Sequence, residues 1–211
     1  MNRTAQLRQV FLHAVSQENI VLVQALGICP IIAAGISLQR GVALTVCTAA
    51  ALIPSSLLMS AVGKKLPNIL RPPLYTLLAM VMMVGCAWVM NTYVSPELYA
   101  ALYVYLPLMS VNTIFTYRAG GYSIGRHPLL ALTDAVGTSL GFGLVICVVS
   151  ALRELAISGT LWGKPMGFEV RLPEAAYPFA AFILLGFMAA LLQQMKSRHP
   201  QTATEEAIGD E

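Results

Sequence analysis

Apolar residues run along this chain in six long blocks separated by short polar breaks. The blocks cover about residues 20–38, 41–62, 73–94, 98–117, 128–152 and 177–195. Each approaches or exceeds the roughly 20 apolar residues a helix needs to cross a bilayer core. The breaks carry helix punctuation. Gly63-Lys64-Lys65-Leu66-Pro67 stops the second block and Arg71-Pro72-Pro73 opens the third. Ser95-Pro96-Glu97 opens the fourth, with proline and an acid in the first turn, where the helix dipole favours them. The pattern predicts an all-α integral membrane protein with six transmembrane helices.

Six spans divide into two groups of three. An odd number per half turns the second half over, so the expected architecture is two inverted three-helix repeats. The leading helix of each half is interrupted. Helix 1 carries Gly27 and Pro30; helix 4 carries Pro107, then polar Ser110, Asn112 and Thr113. Breaks at matching positions point to a site near the membrane midplane. Helix packing also accounts for such residues, and prolines recur at Pro54 and Pro178. The membrane domain spans 18–195, with halves of about 18–94 and 95–195. Residues 1–17 form an N-terminal segment and 196–211 an acidic tail.

Composition strengthens the membrane reading. The 211 residues are 57% hydrophobic and 11% charged, with a mean hydropathy of +0.70. A soluble domain carries about 25% charged residues. So little charge argues against nucleic acid as a partner despite the net charge of +3, and leaves membrane lipid as the surround. Residues 1–17 are basic but lack an apolar core followed by a cleavage site, so the first span reads as an uncleaved signal. Nine Lys and Arg residues fall on one side of the predicted spans, Arg118 and Arg126 among them. Four fall on the other, namely Arg40, Arg153, Lys164 and Arg171. The positive-inside rule then puts both termini in the cytoplasm.

Candidate chemistry is sparse. Cys29, in Leu26-Gly27-Ile28-Cys29-Pro30, sits near the middle of the first block. Thiolate is the preferred ligand of soft metals and iron–sulfur clusters, and a free cysteine also serves as a small hydrophobe. Cys47, Cys86 and Cys147 form no CxxC pair and read as helix-packing residues. Asp134 is an ionisable group within span five, which points to an ion path or to an interface. No second carboxylate accompanies it, so a proton relay is not supported. Arg153 and Glu154 end that span and can pair or cap it. Gly137, Gly141 and Gly143 make a small-residue face for close helix approach. Residues 153–176 form a long outer connection, either leaning on a partner protein or acting as an ordinary loop. His13, His127 and His199 lie in flanks and loops. No nucleophile–base pair or phosphate loop is evident, so no stand-alone catalytic site is expected.

Asn19-Ile20-Val21-Leu22-Val23-Gln24-Ala25-Leu26-Gly27-Ile28-Cys29-Pro30 resembles the opening of the small membrane subunits of the Rnf and Na+-NQR redox complexes. Asp134-Ala135-Val136-Gly137, Leu140-Gly141-Phe142-Gly143, Arg153-Glu154-Leu155 and Ser158-Gly159-Thr160-Leu161-Trp162-Gly163 resemble the second half of the RnfE/NqrD branch, over about residues 18–195. The resemblance implies a subunit of an ion-translocating ferredoxin:NAD oxidoreductase in a bacterial inner membrane. It implies an RnfA-like sister packed as an inverted pair, with flavin-bearing and ferredoxin-like subunits nearby. It also implies a [2Fe–2S] cluster shared with the sister, to which each of the two gives two cysteines, carrying electrons across the membrane.

Cys29 matches the first ligand. Thr113 stands where the family has the second, and a hydroxyl is a poor iron ligand beside a thiolate. Ala119-Gly120-Gly121-Tyr122-Ser123 also departs from the branch, which usually has an acid and a phenylalanine there. Three arrangements accommodate this: a cluster on three cysteines plus another ligand, a lost cluster site, or a different complex on the same scaffold. The alternative function is therefore a non-redox scaffold or ion-transport subunit.

Overall fold

In a computed structural model of the chain, residues 10–11, 21–165 and 172–198 are described. They are mostly helical. α1 (Ile28–Ala34) is short, and α2 (Leu38–Val62) is long. α3 (Arg71–Val89) ends in a π-helical turn, Met90–Val94. Three short helices follow: α4 (Pro96–Leu102), α5 (Tyr105–Ser110) and α6 (Thr113–Tyr117). α6 runs on into a second π-helical turn, Arg118–Tyr122. α7 (Pro128–Ser158) is the longest element, and α8 (Pro178–Arg198) is the last. Between them lie a hairpin, β1 (Thr160–Leu161) and β2 (Lys164–Pro165), and a 3₁₀ turn, Pro173–Ala176. The hairpin pairs Thr160 with Pro165 and Leu161 with Lys164, antiparallel.

α2 and α7 pack side by side and form the spine. Small residues bring them together: a Cβ on Gly41 would fall 2.8 Å from Ser150 Oγ, and Gly143 lies against Thr45. Gly137 and Gly141 are buried as well. Leu44, Leu52, Met59, Phe142 and Ile146 of these helices are buried in the core. Outward, Leu77, Val81, Phe182, Ile183 and Phe187 are exposed. Large apolar side chains facing outward all along a bundle suit hydrocarbon and not water. Three helical stretches are long and apolar enough to cross a membrane: Leu38–Val62, Asn68–Val94 and Pro128–Ser158. Pro96–Leu102 and Tyr105–Tyr122 qualify together as one span bent by 55°. Pro178–Gln194 is apolar but shorter. The chain is an integral membrane protein.

Several expectations change. The first block is not one long helix among the described residues. Residues 21–27 are irregular, α1 has only seven residues, and α2 already begins at Leu38. At 1.5 Å per residue α1 is about 10 Å long, a third of the hydrocarbon thickness. Pro30 does not break it. It is the third residue of α1, where the N–H has no partner within the helix and proline is tolerated. Pro107 holds the same third position in α5. Pro54 lies inside α2 without ending it. The interruption in the first block is made instead by left-handed backbone at Ala25 (φ 55°) and Gly27 (φ 75°).

The 153–176 connection is also shorter than expected, because α7 continues to Ser158 and the hairpin follows at once. Cys47 is buried in the packing, and Cys86 and Cys147 are half-buried. His13, His199, Glu18 and the acidic tail lie outside the described residues, while His127 caps α7 through Nδ1.

Candidate functional site

The two interrupted segments meet. Gly27 is the N-cap of α1 and Asn112 the N-cap of α6. A Cβ on Gly27 would press on the tip of Ile114 and come within 3.7 Å of Asn112 Oδ1, and at φ 75° any other side chain would be strained. Asn112 Oδ1 accepts the Ile114 N–H at 3.1 Å, the usual device for starting a helix after extended backbone. Ser110 Oγ donates to the Pro107 carbonyl at 2.6 Å. The polar patch of the fourth block thus satisfies the backbone at the break.

Cys29 and Thr113 occupy the first turns of these two helices, and both are exposed. Cys29 is therefore not a core thiol. It lies on the surface of this chain, beside the junction. Thr113 Oγ1 lies 3.3 Å from Asn112 Oδ1 and is engaged there. Among the described residues no three His, Cys, Asp or Glu side chains gather. The donor set is one thiol and one hydrogen-bonded hydroxyl. It does not fit a two-thiolate contribution to an iron–sulfur cluster.

Both short helices are anchored on α7. At the far end of α6, Arg118 forms an ion pair with Asp134 at 2.8 Å, and both side chains are about 1–2% exposed. The Arg118 guanidinium lies over the rings of Tyr117 and Tyr122. The carbonyl of Arg118 accepts Ser123 Oγ at 2.9 Å, closing the π-helical turn. At the far end of α1, Arg153 Nη1 donates to the carbonyls of Ile32 (2.9 Å) and Gly35 (3.1 Å). Its other nitrogens reach Ala175 and Ala176 of the 3₁₀ turn. Glu154 accepts the first N–H of α2, from Leu38, at 2.7 Å and the Gly163 N–H at 2.9 Å. A cation on the carbonyl end of one helix and an anion on the amide end of the next is the arrangement helix partial charges favour.

By sequence Arg118 falls in a loop and Arg153 in an outer connection, whereas both side chains are buried. Withdrawing them leaves eight Lys and Arg residues against three, so the asymmetry keeps its sign. Arg153 and Glu154 neither pair with each other nor end α7, and their role as clamps on α1 and α2 was missed. The available signal was a charged pair inside a mostly apolar helix, which needs partners wherever it lies.

Residues 7–189 match the profile of a family described as Rnf-Nqr subunit, membrane protein. Similar proteins include the E component of the ion-translocating oxidoreductase complex of Shewanella sp. (strain W3-18-1), 30% identical over 95% of this chain and 94% of the relative. The protein of the same name from Shewanella oneidensis is 28% identical with the same coverage. That from Shewanella baltica (strain OS185) is 30% identical.

Proposed function

Because the chain belongs to the Rnf-Nqr family of membrane subunits, we propose that it is the E-type component of an Rnf-like ion-translocating oxidoreductase. In this reading it packs against an RnfA-like sister at the surface that carries Cys29. Flavin-bearing and ferredoxin-like subunits belong to the same assembly. The membrane is a bacterial inner membrane, with both termini in the cytoplasm.

One observation carries the reading. α1 and α6 start against each other and run to opposite ends of α7, where Arg153 and Asp134 hold them. Those anchors are 19 residues apart, about 28 Å along a helix. That is close to the roughly 30 Å of a hydrocarbon core, which supports a junction near mid-depth. Two half-helices diverging from a midplane point support an inverted-repeat scaffold of six spans, with the junction at its centre.

Cys29 is the residue this chain offers at that interface. A specific observation favours the second reading, a scaffold or ion-transport component without redox chemistry: Thr113 is engaged by Asn112 and gives no thiolate. Iron and sulfide content, with EPR of the reduced complex, separates the two. A [2Fe–2S] signal that disappears in Cys29→Ser, with the complex intact, supports electron transfer at this interface. A cluster-free complex with unchanged turnover leaves the scaffold reading. If the tagged chain purifies without an RnfA-like partner, the assembly itself is wrong. Asp134 serves an ion path only if Arg118 releases it during turnover.

A further inference from the structure

A groove of about 1060 Å³ between α2, α3 and α4 has no part in the function proposed above. Its floor is apolar, with buried Cys47 and half-buried Cys86, and exposed Val46 and Val81 line it toward the outside. Its mouth carries Arg40 from the first turn of α2 and Glu97 from the first turn of α4. Among the described residues neither has an ion-pair or hydrogen-bond partner. Two opposite charges left unpaired at the lip of an apolar groove are an invitation to a ligand that carries both.

Two further features are built around the opening. The chain has two tryptophans, Trp88 and Trp162, and both line the groove. Indoles belong at the boundary between hydrocarbon and headgroups. Trp162 sits at the hairpin tip with φ 58°, a left-handed conformation that is a genuine outlier for a bulky residue. The Glu154 bond to the Gly163 N–H holds that tip in place. On the floor, Gly85 lies inside α3, where glycine is a poorer helix former than alanine. A Cβ there would meet nothing within 4 Å, so packing inside the chain does not demand a glycine. It leaves the floor open.

The volume is at the upper end of the range for small-molecule pockets. The mouth asks for an anion and an N–H-bearing cation in one headgroup. A primary ammonium donates to the Glu97 carboxylate, whereas a quaternary one has no N–H. A purely anionic headgroup would set like charge against Glu97. A partner helix would have to bring a matching residue for each of the two charges. We propose that this groove binds a phosphatidylethanolamine-type phospholipid, its phosphate on Arg40, its ammonium on Glu97 and an acyl chain along the floor past Gly85.

Because both tryptophans line the groove, brominated lipids read its occupancy directly. The full chain in detergent micelles is titrated with dibrominated phosphatidylethanolamine, phosphatidylglycerol or phosphatidylcholine. Phosphatidylethanolamine should give saturable quenching, at least tenfold stronger in apparent affinity than the other two. Gly85→Leu should remove the saturable part without lowering the thermal midpoint, and Glu97→Gln should bring phosphatidylglycerol up to phosphatidylethanolamine. Quenching that never saturates, is equal for the three lipids, or survives Gly85→Leu overturns the proposal. In the assembled complex, native mass spectrometry should find one phosphatidylethanolamine fewer in Gly85→Leu. An unchanged lipid count, as when a protein partner fills the groove, also overturns it.

Discussion

The two ends of α7 both bury charge, and they neutralise it in different ways. Near the start, Asp134 meets one guanidinium, Arg118, in a compact pair. Near the finish, Arg153 and Glu154 are neighbours in sequence, yet each turns to backbone. Arg153 reaches four carbonyls in two segments, and Glu154 takes amides from two others. The first end centres on one buried ion pair at a π-helical turn, with two tyrosine rings beside the guanidinium. The second shares its charge among α1, α2, the hairpin and the 3₁₀ turn. Concentrating the opposite charge in one buried ion pair makes the first end brittle. Many partial partners make the second end graded.

That contrast ranks the consequences of substitution. Arg118→Met takes the Arg118 charge away from buried Asp134 and should cost about 3–5 kcal/mol, read as a large fall in thermal midpoint in detergent. The double variant Arg118→Met/Asp134→Leu should recover most of the loss, because well-packed apolar residues often replace a buried pair at little cost. Asp134→Asn in the assembled complex adds a functional readout: lost ion pumping with the fold intact would assign Asp134 to an ion path. Arg153→Met should cost less, about 2–4 kcal/mol, since α1 and the 3₁₀ turn keep their apolar contacts. Its signature should be local, with faster amide exchange over residues 28–35 and faster labelling of Cys29 by maleimide. Glu154→Gln keeps an oxygen acceptor and should cost about 1 kcal/mol. It should show chiefly as a shift in Trp162 emission as the hairpin tip loosens. If Arg153→Met proves more damaging than Arg118→Met, the contrast between the two ends is reversed.

Much of this was legible in the chain. Apolar block length located α2, α3 and α7 to within a few residues, because hydrocarbon thickness fixes how long a span must be. The breaks near Gly27 and Asn112 were legible too, though Pro30 shared the credit for the first with Gly27. Proline is easy to notice in a sequence, whereas left-handed backbone at Ala25 carries no mark. The positions of Arg118 and Arg153 were not legible as buried. Counting cations by loop assumes that every charge near a block's end is solvated, and only the fold shows which ones turn inward. Cys29 shows the reverse. Its apolar neighbourhood left two readings open, a ligand or a small packing hydrophobe, and the short α1 presents it at the surface, away from the packing.

The dependence of α1 on Arg153 reaches back to synthesis. The Ile32 carbonyl waits for a guanidinium encoded 121 residues later. At about 5–20 residues per second, the ribosome takes roughly 6–24 s to supply it. A seven-residue helix is too short to hold itself in lipid over that interval. The first apolar segment must therefore shelter at the insertion machinery until α7 emerges, which makes α7 the element whose arrival commits the nascent chain to its final form.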